Sequence, residues 1–288
     1  MTKKVTRGLD AFVEAHGQQR LKRQQAEIGR LQETVNRLHK QRKGSILNLP
    51  CDTDTVTFGV CGDLHMGSLY EASDKLAIFF RACAEAGVRD ILCAGDILDG
   101  WKMYRGQEFE LAKIGYEQQS KHFADIAPQI KGVTVRFITG NHDASFKTLV
   151  GMNVGELLQG LRPDWQCIGE DSADVVFTSA SGREYRVRLI HPSGGTSYAI
   201  SYRGQKIVES LAGGSKPQML GIGHYHKSES IPNYRNVHVL QTGCFQWQTP
   251  FMERGGLSAA VGGWLVRVGI GTEQSLCNTV ETKFIGFY

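Results

Sequence analysis

From residue 55 onward the chain repeats one pattern: a short apolar run, a glycine followed by polar residues, then a helical stretch. Val56-Thr57-Phe58-Gly59-Val60-Cys61 is β-prone and ends at Gly62-Asp63. A helix is expected over 73–86, with Ser73 as its N-cap and Gly87 just past its end. Residues 90–94 predict the next strand, ending at Gly95-Asp96, and a long helix is expected over 107–127, stopped by Pro128. Residues 133–138 predict a third strand, ending at Gly140-Asn141-His142-Asp143. Such repeats imply right-handed crossovers and a parallel core sheet, with ligands gathering outside the carboxyl ends of the strands. The second half reads as strands over 174–179, 183–190, 219–222, 237–242 and 263–268, with one helix over 198–211. Two sheets face to face with helices outside accommodate that order.

The first 43 residues follow a different period. No proline occurs from residue 9 to 43, and only Gly17 and Gly29 interrupt a helix-forming composition. Ile28, Leu31, Val35 and Leu38 follow a 3-4-3 spacing with Leu21 one heptad earlier, while Gln24 breaks the stripe. That makes a basic amphipathic helix with a coiled-coil-like seam shorter than the three or four heptads of a firm coiled coil. Residues 44–54, with Pro50, read as a linker. The expected organisation is a helical extension (1–43), a linker (44–54) and one domain (55–288).

Composition changes this picture in two places. The content, 41% hydrophobic and 22% charged, is that of an ordinary soluble globular protein. No stretch approaches the ~20 apolar residues of a membrane span, and the basic start lacks the apolar segment of a signal peptide. A cytoplasmic protein is expected, with no membrane partner. The seven cysteines are scattered without Cys-x-x-Cys spacing and read as reduced thiols. The net charge of +4 divides unevenly: residues 1–43 carry +7 and the remainder −3. The basic character therefore belongs to the extension.

The candidate chemistry lies in five ordered strings: Asp63-Leu64-His65, Gly95-Asp96, Gly140-Asn141-His142-Asp143, His191, and Gly223-His224-Tyr225-His226. Together they hold oxygen and imidazole ligands enough for two adjacent divalent ions. Each follows a strand-like run, and their glycines are expected to allow sharp turns. Asp63 and His65, like His224 and His226, are expected to project in alternation from a strand end.

The constellation resembles the calcineurin-like metallophosphoesterase superfamily. The wording around it (Gly-His-Tyr-His-Lys, Gln-Thr-Pro-Phe-Met, His-Pro-Ser-Gly-Gly-Thr) looks like that of phage and bacterial members, which would place the protein in a host cytoplasm. The resemblance implies an α/β, four-layer αββα sandwich with two central mixed sheets, here with the basic helical extension added. It implies that Asp63, His65 and His226 bind one ion and Asn141, His191 and His224 the other, with Asp96 bridging. It implies a phosphoester hydrolase in which a metal-bridging hydroxide attacks phosphorus. His142 then assists the leaving group, with Asp143 orienting its ring and raising its pKa. The ligand chemistry suits Mn2+, Fe2+, Zn2+ or Ni2+, and family analogy favours Mn2+.

The substrate is less determined. Trp101-Lys102-Met103-Tyr104-Arg105 is expected to overhang the site; a plain alternative is a loop whose Trp101 packs on the core. Lys102, Arg105, Tyr198, Tyr202 and Lys227 are the candidate substrate contacts. The Gly194-Gly195 loop either offers backbone N–H groups to a phosphate or simply starts the helix at residue 198, with Thr196 or Ser197 as cap. The +7 extension favours a phosphodiesterase or nuclease acting on DNA or RNA. The alternatives are a phosphomonoesterase or nucleotide pyrophosphatase whose extension makes a homodimer, and an inactive subunit that binds nucleic acid or a polymerase.

Overall fold

The computed structural model describes residues 45–271 and 278–288, together with Gln25 and Gly29. The helical extension expected over 1–43 otherwise lies outside the described residues. In chain order the rest forms β1 (Ser45–Pro50), β2 (Thr55–Cys61), α1 (Ser73–Glu85), β3 (Asp90–Cys93), α2 (Gly115–Ile126), β4 (Thr134–Thr139), α3 (Asn141–Val150), α4 (Val154–Leu161), β5 (Trp165–Glu170), β6 (Ser172–Thr178), β7 (Glu184–Ile190), α5 (Ile200–Ser210), β8 (Met219–Ile222), β9 (Ser228–Tyr234), β10 (Val237–Thr242), α6 (Pro250–Arg254), β11 (Gly262–Gly269) and β12 (Thr279–Gly286).

Two mixed six-stranded sheets result, ordered β1-β6-β7-β8-β10-β9 and β12-β11-β2-β3-β4-β5. In the second sheet β2, β3, β4 and β5 run parallel, as the repeated strand–loop–helix units require. Between the sheets Phe58, Val60, Leu92 and Val266 pack against Val175, Val187, Leu189 and Leu240. On the outer face of the second sheet, α1 buries Leu76, Phe79, Phe80 and Cys83, a spacing of 3, 1 and 3 that keeps one helical face on the core. Helix α5 covers the outer face of the first sheet through Val208, which meets Leu220, Val237 and Val239. The order of layers is therefore helices, sheet, sheet, helix, the α/β sandwich expected. No described helix is long and apolar enough to cross a membrane.

Four expectations are corrected. Residues 45–50, read as linker, form β1, which pairs in parallel with β6 from Ser45↔Ala173 to Pro50↔Thr178. The helix expected over 107–127 is broken. After a 3-10 turn at Gln107–Phe109, backbone hydrogen bonds go to the facing loop instead: Leu69 N–H donates to Glu110 O, and Ala112 and Lys113 N–H donate to Gly67 O. Helix α2 then restarts at Gly115. Ser73 is the first residue of α1 rather than its cap, and Ala72 stands at the N-cap with no side-chain bond. Neither Thr196 nor Ser197 caps α5, whose N-cap is Ala199.

The cysteines described are all free, with Cys61, Cys83, Cys93 and Cys244 buried. Cys61 and Cys93 sit opposite each other in the register of β2 and β3.

Candidate metal centre

Five strands end at one place. β2 delivers Asp63 and His65, β3 delivers Asp96, β4 delivers Asn141, β7 delivers His191 and β8 delivers His224 and His226. Because β2, β3 and β4 are parallel, as are β7 and β8, their carboxyl ends lie along one edge of the sandwich. Asp63, His65, Asp96, His224 and His226 all adopt left-handed φ values between 48° and 78°. Non-glycine residues seldom do so, and such conformations persist where surrounding structure over-determines them. The ligand residues themselves make the turns, so the expected alternation from an extended strand end does not occur. The glycines act mainly by letting groups approach: a Cβ at Gly140 would collide with Asp96 Oδ1, and one at Gly95 would lie 2.6 Å from His191 Nδ1.

Ligating atoms of Asp63, His65 and His226 lie within 4.8 Å of one another, and so do those of Asp96, His191 and His224. Asn141 Oδ1 stands 2.9 Å from His191 Nε2 and 2.8 Å from His224 Nδ1.

Hydrogen bonds outside the cluster fix which imidazole nitrogens carry protons. His191 Nδ1 donates to Ala94 O (2.7 Å), His224 Nε2 to Gly194 O (2.9 Å) and His65 Nδ1 to Asp99 Oδ1 (3.0 Å). The remaining nitrogens, His191 Nε2, His224 Nδ1 and His65 Nε2, therefore point inward. His191 Nε2 faces Asn141 Oδ1 and, at 3.1 Å, Asp96 Oδ2. His65 Nε2 faces His226 Nε2 at 3.0 Å, and buried His226 Nδ1 has no partner. Nitrogen and oxygen atoms converging in this way in a buried site need protons, or a cation, shared among them.

The charges agree. Burial pushes Asp63 up to about 8, against the pull of His191 and with the help of Asp96. Burial also raises Asp96, but His191 and His142 outweigh it and hold that carboxyl well below the usual range. Burial lowers His191, yet Asp96 and Asp63 push it up to about 10. A proton on His191 thus balances Asp96 where a cation would. Burial drives His65 and His226 well below the ordinary imidazole range, keeping them neutral as ligands must be. An oxygen and imidazole donor set without thiolate fits divalent ions.

His142 and Asp143 part company. His142 Nδ1 donates to Asp99 O at 2.6 Å, and the residue lines the adjoining cleft. Asp143 does not orient that ring. Its carboxylate accepts the backbone N–H groups of Ile97, Leu98 and Gly140 at 3.1, 2.9 and 2.9 Å, so it joins the start of α3 to the loop after Asp96. The orienting carboxylate that the sequence reading missed is Asp99. Besides His65, it accepts from Gln107 Nε2 (3.2 Å) and Gln246 Nε2 (3.1 Å), and burial pushes it up to about 7. Its signal was an acid three residues after Asp96.

A cleft of about 340 Å³ opens over the cluster. Its lining includes His65, Asp96, Asn141, His142, His224 and His226, the Gly194-Gly195-Thr196 loop, and an apolar group from residues 103–104 and 251–257. Met103 and Tyr104 reach it, as the expected overhang requires. Lys102 and Arg105 instead border a neighbouring cavity with Trp101, whose ring packs on the core. Tyr198 and Tyr202 are exposed and do not line the cleft, and Lys227 Nζ bonds to Ser258 Oγ at 2.7 Å.

A family model described as calcineurin-like phosphoesterase matches residues 56–228. The chain is 26% identical over 244 residues to the DNA polymerase II small subunit of Halobacterium salinarum, covering 72% of this chain and 47% of that protein. It is 26% identical over 238 residues to the protein of that name from Methanothermobacter thermautotrophicus, covering 66% and 48%. The chain thus spans about half the length of the curated relatives it matches. Among solved structures, GAP50, the anchor in the inner membrane complex of Plasmodium, aligns with a TM-score of 0.51 at 13% identity, over 81% of this chain and 84% of that one. That likeness is one of fold.

Proposed function

The chain belongs to the calcineurin-like phosphoesterase family, and from that premise we propose that it is a two-metal-dependent phosphodiesterase acting on nucleic acid. The observation that carries the hydrolase reading is the convergence of buried carboxylate, amide and imidazole ligand atoms at one edge of the sandwich. Asp63, His65 and His226 would hold one ion and Asn141, His191 and His224 the other, with Asp96 between them. When bound, two such ions neutralise phosphoryl oxygens and lower the pKa of water; Mn2+ is the ion proposed. Asp99, Ala94 O and Gly194 O orient His65, His191 and His224. The carbonyl of Asp99 holds the proton on His142 Nδ1, so Nε2 is the atom that would exchange a proton with a leaving oxygen at the cleft.

Two observations support a nucleic-acid substrate: the +7 charge of residues 1–43 and the similarity to proteins named DNA polymerase II small subunit. The same names favour a second reading, a phosphoesterase-fold subunit that binds a polymerase without hydrolysing anything. A panel separates them. With Mn2+ added back, the protein is expected to hydrolyse bis-p-nitrophenyl phosphate and single- or double-stranded DNA or RNA, and Asp96→Ala to abolish both activities. Mn2+ binding without turnover of any ester defeats the hydrolase reading and favours the second. Near-normal turnover by Asp96→Ala with Mn2+ defeats the two-metal reading.

A further inference from the structure

One side of the cleft, away from the ligand candidates, is aromatic and apolar. It is formed by Met103, Tyr104, Phe251, Met252 and Leu257, with Thr249 and Gln246 beside them, and the other side by the Gly194-Gly195-Thr196 loop and Tyr225. No lysine or arginine is among the lining residues. A substrate with several phosphates would find no side-chain cation there, so only the metal centre could neutralise it. The cleft suits one phosphoryl group with an apolar remainder.

The shape of that remainder follows from two rings. Tyr104 and Phe251 stack with centroids 4.2 Å apart and planes 21° apart, and 42% of Phe251 remains exposed. They come from distant segments, and Glu110 holds them together. This carboxylate is 5% exposed, accepts the Tyr104 hydroxyl at 2.8 Å on Oε2 and the Phe251 N–H at 3.1 Å on Oε1, and lies 3.9 Å from Arg254. Burying a carboxylate is unfavourable unless it is bonded, so the pair rests on a fixed support. A flat stacked wall favours a flat partner over a flexible chain, because aromatic faces gain by offset stacking. The volume, about 340 Å³, is at the small end for ligand pockets and suits a single mononucleotide-sized group.

We infer that Tyr104 and Phe251 form a nucleobase subsite that receives one unstacked nucleoside of the phosphoester held at the metal centre. This deepens the proposed function and rests on it. Stacking of a base on these rings should tighten binding about tenfold, which corresponds to roughly 1.4 kcal/mol.

Calorimetric titration of the full chain in Mn2+ tests this with three monoesters that share one phosphoryl group: adenosine 5′-monophosphate, ribose 5-phosphate and hexyl phosphate. Adenosine 5′-monophosphate is expected to bind about tenfold tighter than either of the others. Phe251→Leu, apolar but not flat, should bring the three affinities together, and Phe251→Trp should keep the preference. Equal affinities for adenosine 5′-monophosphate and ribose 5-phosphate in the natural protein overturn the subsite. Hexyl phosphate binding as tightly as the nucleotide also overturns it, and assigns the wall to an acyl or alkyl chain. If none of the three binds while bis-p-nitrophenyl phosphate is hydrolysed, the subsite is wrong and the hydrolase reading stands. If none binds and no ester is hydrolysed, the underlying reading fails and the subsite with it.

Discussion

Asp99 accepts the Nδ1 proton of His65 and, through its carbonyl, that of His142. Removing the carboxylate frees the His65 ring to rotate, and outer partners of this kind are typically worth ~10–100-fold in metal affinity. Asp99→Ala is therefore expected to weaken Mn2+ binding within that range, measured by competition with a chelating dye; unchanged affinity would show that His65 needs no such support. Asp143 makes the opposite prediction. Its carboxylate touches three backbone N–H groups and no ring, so Asp143→Ala orphans buried donors. The expected loss is about 3 kcal/mol of stability, read as a fall in melting temperature of roughly 10 °C. A catalytic defect without a lowered melting temperature would return Asp143 to the role the sequence suggested. The contrast shows what was legible at this scale. Ligands sit in short local strings, and so could be named from spacing. Asp99, which orients His65, left only the faint signal of an acid beside a string, and Gln246, which holds Asp99 from 147 positions away, leaves no local mark.

Four of the five strands that carry ligands, β2, β3, β4 and β8, were legible because buried parallel strands read as apolar runs ended by a glycine, and β7 was legible from its alternation. Edge strands were not. β1 alternates half-buried and exposed residues and ends in Pro50, which reads as loop chemistry although proline is tolerated at an edge. β12, at the edge of the other sheet, has the same alternation and was likewise missed. Helix 107–127 failed for a related reason: its periodicity was sound, but pairing with residues 67–69 claimed the backbone of 110–113. The reassignment of β1 has a consequence. Its six residues pair with six of the seven of β6, whose Ala173, Val175 and Phe177 lie in the core between the sheets. A chain beginning at Ser45 should therefore melt close to the full protein, whereas one beginning at Thr55 uncovers β6 and should melt several degrees lower. Equal melting temperatures for the two truncations would show that residues 45–54 are the dispensable linker first expected.

Over the whole molecule, charge and chemistry occupy different segments. The ligands all fall within residues 63–226, while the +7 of residues 1–43 outweighs the −3 of everything after them. A domain of net charge −3 whose cleft lining has no lysine or arginine has little of its own with which to attract a polyanion. If the substrate is a polymer, affinity must come largely from the extension, through phosphate contacts that release counterions and weaken as salt rises. The nucleobase subsite would then receive one nucleotide of a strand held elsewhere. Deleting residues 1–43 should therefore lower DNA affinity at low salt and flatten its dependence on salt, both measurable by fluorescence anisotropy across a salt series. Turnover of bis-p-nitrophenyl phosphate, which needs only the cleft, should persist in the same preparation. DNA affinity and salt slope that survive the deletion would shift the search for cations to the described domain, with Lys102 and Arg105 in the cavity beside Tyr104 as the first to substitute. Loss of both DNA binding and small-ester turnover would instead tie the extension to the integrity of the metal centre, and its charge would cease to be a reason for choosing nucleic acid.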